Sequence, residues 1–236
     1  MIVRVCERAL AAVNVSRVLV ATDDERIRDA VCAAGYEAMM TRAEHLSGSD
    51  RLAEAALALG ESFDIIVNVQ GDEPLISPRA IERAVAALQD DPEAACATTC
   101  EAINTAGDVL SPDVVKVVCD GRGHALYFSR SPIPYPREAA RKFGSLAAAL
   151  EVEPALLATF RKHTGLYVYR RAFLLEYARW PQSALERAES LEQLRMLEHG
   201  AKIRVVDTEE RSIGVDTPAD LDRVRALVAA ENVKER

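Results

Sequence analysis

The residues best placed to do chemistry lie in Asp64-Ile65-Ile66-Val67-Asn68-Val69-Gln70-Gly71-Asp72-Glu73-Pro74. A short β-branched run there stops at a glycine, two acids and a proline. Gly71 lets the backbone turn and Pro74 ends strand pairing, so Gln70 and Asp72 arrive at the carboxyl end of a strand. Open α/β sheets bind ligands along that edge. A carboxylate such as Asp72 is a hard oxygen donor, of the kind that holds magnesium while the metal also carries substrate phosphates. The same residues also suit a plain solvated acidic turn, and the pattern alone leaves both readings open.

Two further stretches carry reactive or binding groups. In Gly214-Val215-Asp216-Thr217-Pro218-Ala219-Asp220-Leu221, Thr217 caps a helix, Pro218 takes its first position and Asp220 closes the capping box. Asp216 is left just outside the cap, free to project forward. In the polar segment Thr41 to Arg51, Arg42 and the Ser47-Gly48-Ser49 amides lead into a helix start, where phosphates or sugar hydroxyls are readily held. Ser49 or Asp50 equally reads as an ordinary N-cap.

The elements that must position these groups follow from periodicity and punctuation. Met1 to Val13 has helical spacing, so the chain opens inside a helix. Arg17 to Thr22 reads as a strand, and Asp23 caps a helix to about Ala34, closed by Gly35. Glu37 to Met40 is a strand, and a helix follows the polar segment to Leu59. The run Asp64 to Val69 is apolar on both faces, as expected of a strand buried in a parallel sheet. Ser77-Pro78 opens a helix to about Leu88, and Ala95 to Glu101 is strand-like. Val114 to Cys119 and His124 to Ser129 read as a hairpin about Asp120-Gly121-Arg122-Gly123. That glycine pair lacks the third glycine and the following helix of a dinucleotide fingerprint. Ser131 to Arg137 is proline-rich, and the segment to about Glu153 is an excursion outside the sheet. His163 to Arg170 alternates, with His163, Gly165, Tyr167 and Tyr169 on one face and Leu166 and Val168 on the other. Taken alone, His163 reads equally as a core histidine. Ser183-Ala184-Leu185-Glu186 is a capping box opening a helix to about His199, on whose wet face Glu192 and Gln193 would sit. Ile203 to Asp207 is a strand and a last helix runs to about Glu231. This alternation predicts a three-layer α/β fold with a mostly parallel sheet, Rossmann-like and in one domain spanning 1–236.

Bulk properties narrow the function classes. The chain has 236 residues, 49% hydrophobic and 28% charged, enough to bury a sizeable core. Its net charge of −8 offers no basic patch for nucleic acid. Its apolar stretches are shorter than the roughly 20 residues of a membrane helix, and Met1-Ile2-Val3-Arg4 has no signal-peptide pattern. Five cysteines without a CxxC pair and four scattered histidines argue against a zinc or disulfide framework, as expected in a reducing cytoplasm.

Taken together, Met40-Thr41-Arg42, the Gln70-Gly71-Asp72-Glu73-Pro74 turn, Tyr127-Phe128-Ser129-Arg130, the His163 to Tyr169 strand and Gly214-Val215-Asp216-Thr217-Pro218 resemble the 3-deoxy-manno-octulosonate (KDO) cytidylyltransferases. Several motifs in order across nearly the whole chain make the resemblance specific. It implies a nucleotide-diphospho-sugar transferase-like fold and transfer of CMP from CTP to KDO, giving CMP-KDO and pyrophosphate for lipopolysaccharide biosynthesis. It further implies magnesium held by Asp72 and Asp216. Arg42, Ser47, Gln70, His163, Tyr167, Glu192 and Gln193 would bind the substrates. Arg161 and Lys162 would either add positive potential for the sugar-acid carboxylate or be solvated. A cytoplasmic homodimer is implied, with the excursion within about 120–160 at its interface. One departure accompanies the match. The family pattern opens with a strand and an arginine- and lysine-bearing phosphate loop, and Met1 stands after them. That strand would lie between the strands at Arg17–Thr22 and Asp64–Val69, so this polypeptide is expected to be less stable and poorly active. A cytidylyltransferase for another sugar acid such as neuraminate, and a non-catalytic binding or dimer-partner module, are the competing readings.

Overall fold

A computed structural model describes residues 1–45, 47–210, 214–215 and 217–234, with side chains to 229. Helix α1 (Ile2–Leu10) buries Val5, Cys6 and Ala9. Strand β1 (Leu19–Thr22) leads into α2 (Glu25–Ala33), capped by Asp24 and not Asp23: its carboxylate accepts from the Arg26 amide. The turn falls one residue late because the Asp24 amide first donates back to Thr22 Oγ1 at 3.1 Å. Strand β2 (Glu37–Met40) pairs in parallel with β1. Helix α3 (Gly48–Ala58) is capped by Ser47, whose hydroxyl accepts from the Asp50 amide at 3.2 Å, so Ser49 and Asp50 lie inside the first turn.

Strand β3 (Ile65–Asn68) and α4 (Pro78–Asp90, capped by Ser77) come next, then β4 (Ala94–Ala102) and α5 (Ala106–Leu110). The hairpin forms from β5 (Lys116–Cys119) and β6 (Ala125–Ser129). The excursion folds as α6 (Arg137–Phe143), α7 (Leu146–Val152) and a short 3-10 helix (Pro154–Thr159). Its Ala140, Leu146, Leu150 and Phe160 pack with Ile103 and Val109 in a cluster of their own. Strand β7 (Arg161–Arg170) follows, then α8 (Arg171–Tyr177), α9 (Ala184–Glu189), α10 (Gln193–Glu198), β8 (Lys202–Asp207) and α11 (Pro218–Lys234).

β7 is the spine of the larger sheet. It pairs antiparallel with β4 on one edge and with β3 on the other, while β8 lies parallel to β4. Thus β3, β4 and β8 share one direction and β7 opposes them. The α/β architecture holds, but the sheet is mixed where a mostly parallel one was expected. A helical crossover returns the chain to the same end of a sheet, whereas the hairpin and arm at 116–159 deliver it to the other end. Helices cover both faces: Ile65 and Val67 pack with Ile81, Ala84 and Val85 of α4, and Ile66 packs with Ala53 and Ala56 of α3.

A gap interrupts the layer. β1 pairs with β2 and β3 with β7, but β1 and β3 do not pair with each other. A cavity of about 470 Å³ separates them. For that reason Ile65 to Asn68 all remain partly exposed, where burial in a parallel sheet was expected. Among the described residues, no helix is long and apolar enough to cross a membrane. All five cysteines are free thiols.

Candidate active site

A second cavity, of about 200 Å³, opens at the carboxyl end of β3. Four walls meet there. Asn68 and Gln70 come from the end of β3, with the Gln70 amide donating to Asn68 Oδ1 at 3.4 Å. Gly48 and Ser49 come from the first turn of α3, and Tyr167 and Tyr169 from β7. The last wall is Ser190 to Gln193. The helix expected from Ser183 to His199 is broken here. The capping box forms as read, but Ser190 adopts a left-handed conformation (φ 53°) and ends α9. Glu192 and Gln193 therefore stand at the start of a new helix, facing the cavity, and not on the wet side of a continuous one.

The break is held by a buried ion pair. The Arg195 guanidinium donates twice to the Glu186 carboxylate, at 2.6 and 2.7 Å, with both side chains under 5% exposed. Glu192 is fixed from two sides: Ser49 Oγ donates to its Oε2 at 2.8 Å, and the Tyr177 hydroxyl donates to its carbonyl at 2.9 Å. Burial raises the Tyr167 phenol well above its ordinary pKa, so it remains a proton donor. Among the described residues the lining contains no cation, and Glu192 is its one charged group. Amides, phenols and one carboxylate suit a hydroxyl-rich ligand.

Of the residues expected at the site, Gln70, Tyr167, Glu192 and Gln193 meet in this cavity, and Ser47 caps the helix that supplies Ser49. His163 does not line it. It lies behind Tyr167, ring centroids 5.2 Å apart, and edge-on to Phe128 at 5.0 Å. Its Nε2 is 2.8 Å from Thr98 Oγ1, which also donates to the Leu166 carbonyl at 2.6 Å. Burial lowers its pKa to about 3, so the ring is neutral and supports Tyr167. Arg42 is also outside the lining; it is largely exposed, and its Nε approaches Glu54 Oε2 at 3.4 Å. Arg161 and Lys162 pair with Asp207 and Glu101, so neither is a free cation. Asn68, Tyr169, Ser190 and Leu191 were missed as lining residues; alternation marked Tyr169, but only tertiary packing marks the others, whereas the Ser47–Ser49 stretch was expected through its amides and Ser49 also contributes its hydroxyl.

Asp72 lies just past the cavity, partly buried in the turn after β3. Its carbonyl accepts from the Val215 amide at 2.9 Å, which brings the stretch before Asp216 beside it. Asp216 itself is outside the described residues. No hydrogen bond or ion pair engages the Asp72 carboxylate among the described residues, so its oxygens are available to a hard cation.

A profile described as Cytidylyltransferase matches residues 1–203. The chain belongs to the cytidylyltransferase family. A curated relative named 3-deoxy-manno-octulosonate cytidylyltransferase, from Syntrophotalea carbinolica, is 53% identical over 226 residues, covering 96% of this chain and 87% of the relative. A relative of the same name from Geotalea daltonii is 51% identical over 236 residues, covering 100% of this chain and 88% of its own. A solved structure of CMP:2-keto-3-deoxy-manno-octonic acid synthetase complexed with CTP superposes with a TM-score of 0.85 at 46% identity, over 98% of this chain and 88% of that one. 4-Diphosphocytidyl-2C-methyl-D-erythritol synthase from Anaerococcus prevotii, at 12% identity and a TM-score of 0.58, shares the fold alone. This cytidylyltransferase chain thus carries the nucleotide-diphospho-sugar transferase-like architecture, and is a nucleotidyltransferase by family.

Proposed function

We propose that this chain transfers CMP from CTP to the sugar acid KDO, giving CMP-KDO and pyrophosphate for lipopolysaccharide synthesis in the cytoplasm. The observation that carries the reading is the cation-free, hydroxyl-seeking cavity beside the Asp72 turn, in a chain about half identical to relatives named for that reaction. Gln70, Tyr167, Glu192 and Gln193 bind and orient the sugar hydroxyls. An exposed guanidinium at Arg42 supplies charge for a carboxylate outside the cavity. The sugar's anomeric oxygen forms the new bond to the α-phosphorus of CTP, the bond to pyrophosphate breaks, and the hydroxyl proton is released. Asp72, joined by Asp216, would hold magnesium; the unengaged carboxylate fits, since magnesium takes one or two protein carboxylates with water and phosphate completing its shell. When bound, the metal offsets charge on the phosphates and aligns the leaving group.

The reading extends to a homodimer through the hairpin and arm, where Leu126, Tyr135 and Val152 are each about 60% exposed. The deciding experiment measures pyrophosphate release from CTP with KDO or neuraminate, with and without magnesium. KDO-dependent, magnesium-dependent release, even slow, supports the reading. Preference for neuraminate, or no turnover together with no magnesium-dependent CTP binding by calorimetry, overturns it.

A further inference from the structure

The corner at Ser190 is held from a second direction, by the end of β6. Ser129 closes that strand, and Arg130 leads into the proline-rich arm. Arg130 and Glu189 clamp each other's main chain. The Glu189 carboxylate accepts from Ser129 Oγ at 2.6 Å and from the Arg130 amide at 2.9 Å. In return the Arg130 guanidinium donates through Nε to the Glu189 carbonyl at 2.8 Å and through Nη2 to the Ser190 carbonyl at 3.5 Å. Its Nη1 donates to the Pro112 carbonyl at 2.9 Å. The base of the clamp is fixed in turn. The fully buried Lys116 directs its three ammonium hydrogens at the carbonyls of Ser111, Val114 and Arg130.

This convergence answers a local need. The carbonyls at the end of α9 have no partner inside the helix, and a cation there complements the helix dipole. Ser190 carries a Cβ, and its φ of 53° persists only where the surroundings over-determine it. The Arg195–Glu186 pair ties together the helices on either side of the corner, whereas Arg130 holds the corner's own carbonyls. The chain beyond starts from that point: the Leu191 amide donates to the Glu186 carbonyl at 3.2 Å, and the Arg195 amide to the Glu192 carbonyl at 3.1 Å.

We propose that Arg130 is a positioning residue for the sugar-acid cavity. Through the carbonyls of Glu189 and Ser190 it fixes the corner, and with it the placement of Glu192 and Gln193 toward the ligand. Its own side chain does not line the cavity. The inference rests on the sugar-acid reading of that cavity and deepens it, because the residue that opens the arm then helps to set sugar affinity.

The test compares the chain with Arg130→Ala and Arg130→Lys. In steady-state kinetics with KDO and CTP, Arg130→Ala should raise KM for KDO by about 10-fold or more, with kcat and KM for CTP changed by less than about twofold. Lysine is a point charge without the guanidinium fork, so Arg130→Lys should fall between. Methylguanidinium added to Arg130→Ala should lower KM for KDO again, and methylammonium should do so less. Hydrogen exchange gives a readout without catalysis. Protection of the Leu191, Leu194 and Arg195 amides should fall in Arg130→Ala and return with methylguanidinium, while the β4 amides stay as they were. A lower kcat at unchanged KM for KDO would put Arg130 on the reacting atoms and overturn the proposal, as would unchanged exchange at the corner. Should Arg130→Ala fail to fold, the lysine variant decides by the same two readouts. No turnover by the parent chain with any sugar acid would reject the reaction and not the clamp, and exchange at the corner would then decide alone.

Discussion

Ser49 Oγ donates to Glu192 Oε2 at 2.8 Å, a contact between side chains 143 residues apart in the chain. It sets α3 against the start of α10 and holds one carboxylate oxygen in place, leaving the other for a ligand hydroxyl. Ser49→Ala should therefore raise KM for the sugar acid by about 10-fold or more, the lower end of the worth of one hydrogen bond to a charged group, with little change in KM for CTP. Steady-state kinetics with each substrate varied checks this. Ser49→Thr should recover most of the loss.

Asp72 engages no described group through its carboxylate, so Asp72→Asn should leave the melting temperature nearly unchanged. Under the proposed reaction it should lower turnover by about 100-fold or more, as loss of a charge-stabilising group does. Pyrophosphate release against magnesium concentration, alongside thermal unfolding, separates the two effects. An unfolded variant would show that the carboxylate serves the turn.

His163 has a folded pKa of about 3, lowered by burial from its ordinary 6.5. In the unfolded chain it takes up a proton near 6.5, and in the folded protein it does not. Its effect on stability is thus nil above about pH 7, becomes destabilising as pH falls from 6.5 toward 3, and levels off below. The slope is about 1.4 kcal/mol per pH unit. His163→Gln should lose stability less steeply by that amount between pH 6 and 4 in urea titrations.

The Arg195–Glu186 pair is almost fully buried and doubly hydrogen-bonded. Arg195→Met strands the carboxylate in the interior and should cost about 3–5 kcal/mol in denaturant unfolding. Because the pair holds the corner at Ser190, KM for the sugar acid should rise as well.

The sequence made the strand-to-turn stretch at Gln70 and Asp72 legible, because glycine and proline punctuate it without ambiguity. The two faces of β7 were equally plain: Leu166 and Val168 enter the cluster with α4, while His163, Tyr167 and Tyr169 line up in ring contact opposite. The break at Ser190 was not legible, because a left-handed serine has no marker of the kind glycine supplies. Strand direction at β7 was hidden too: periodicity says which face is buried, not from which end the arm returns the chain. Ser49 looked like a cap candidate, and only the distant Glu192 reveals its other role.

Thr98 has a consequence for its neighbour that follows from counting hydrogens. A hydroxyl carries a single one, and Thr98 directs it at the Leu166 carbonyl. The 2.8 Å contact to His163 can then be made only with the imidazole as donor, so the hydrogen of the neutral ring is on Nε2 and the lone pair on Nδ1. Nitrogen-15 chemical shifts should show this Nε2–H tautomer as the single form at neutral pH.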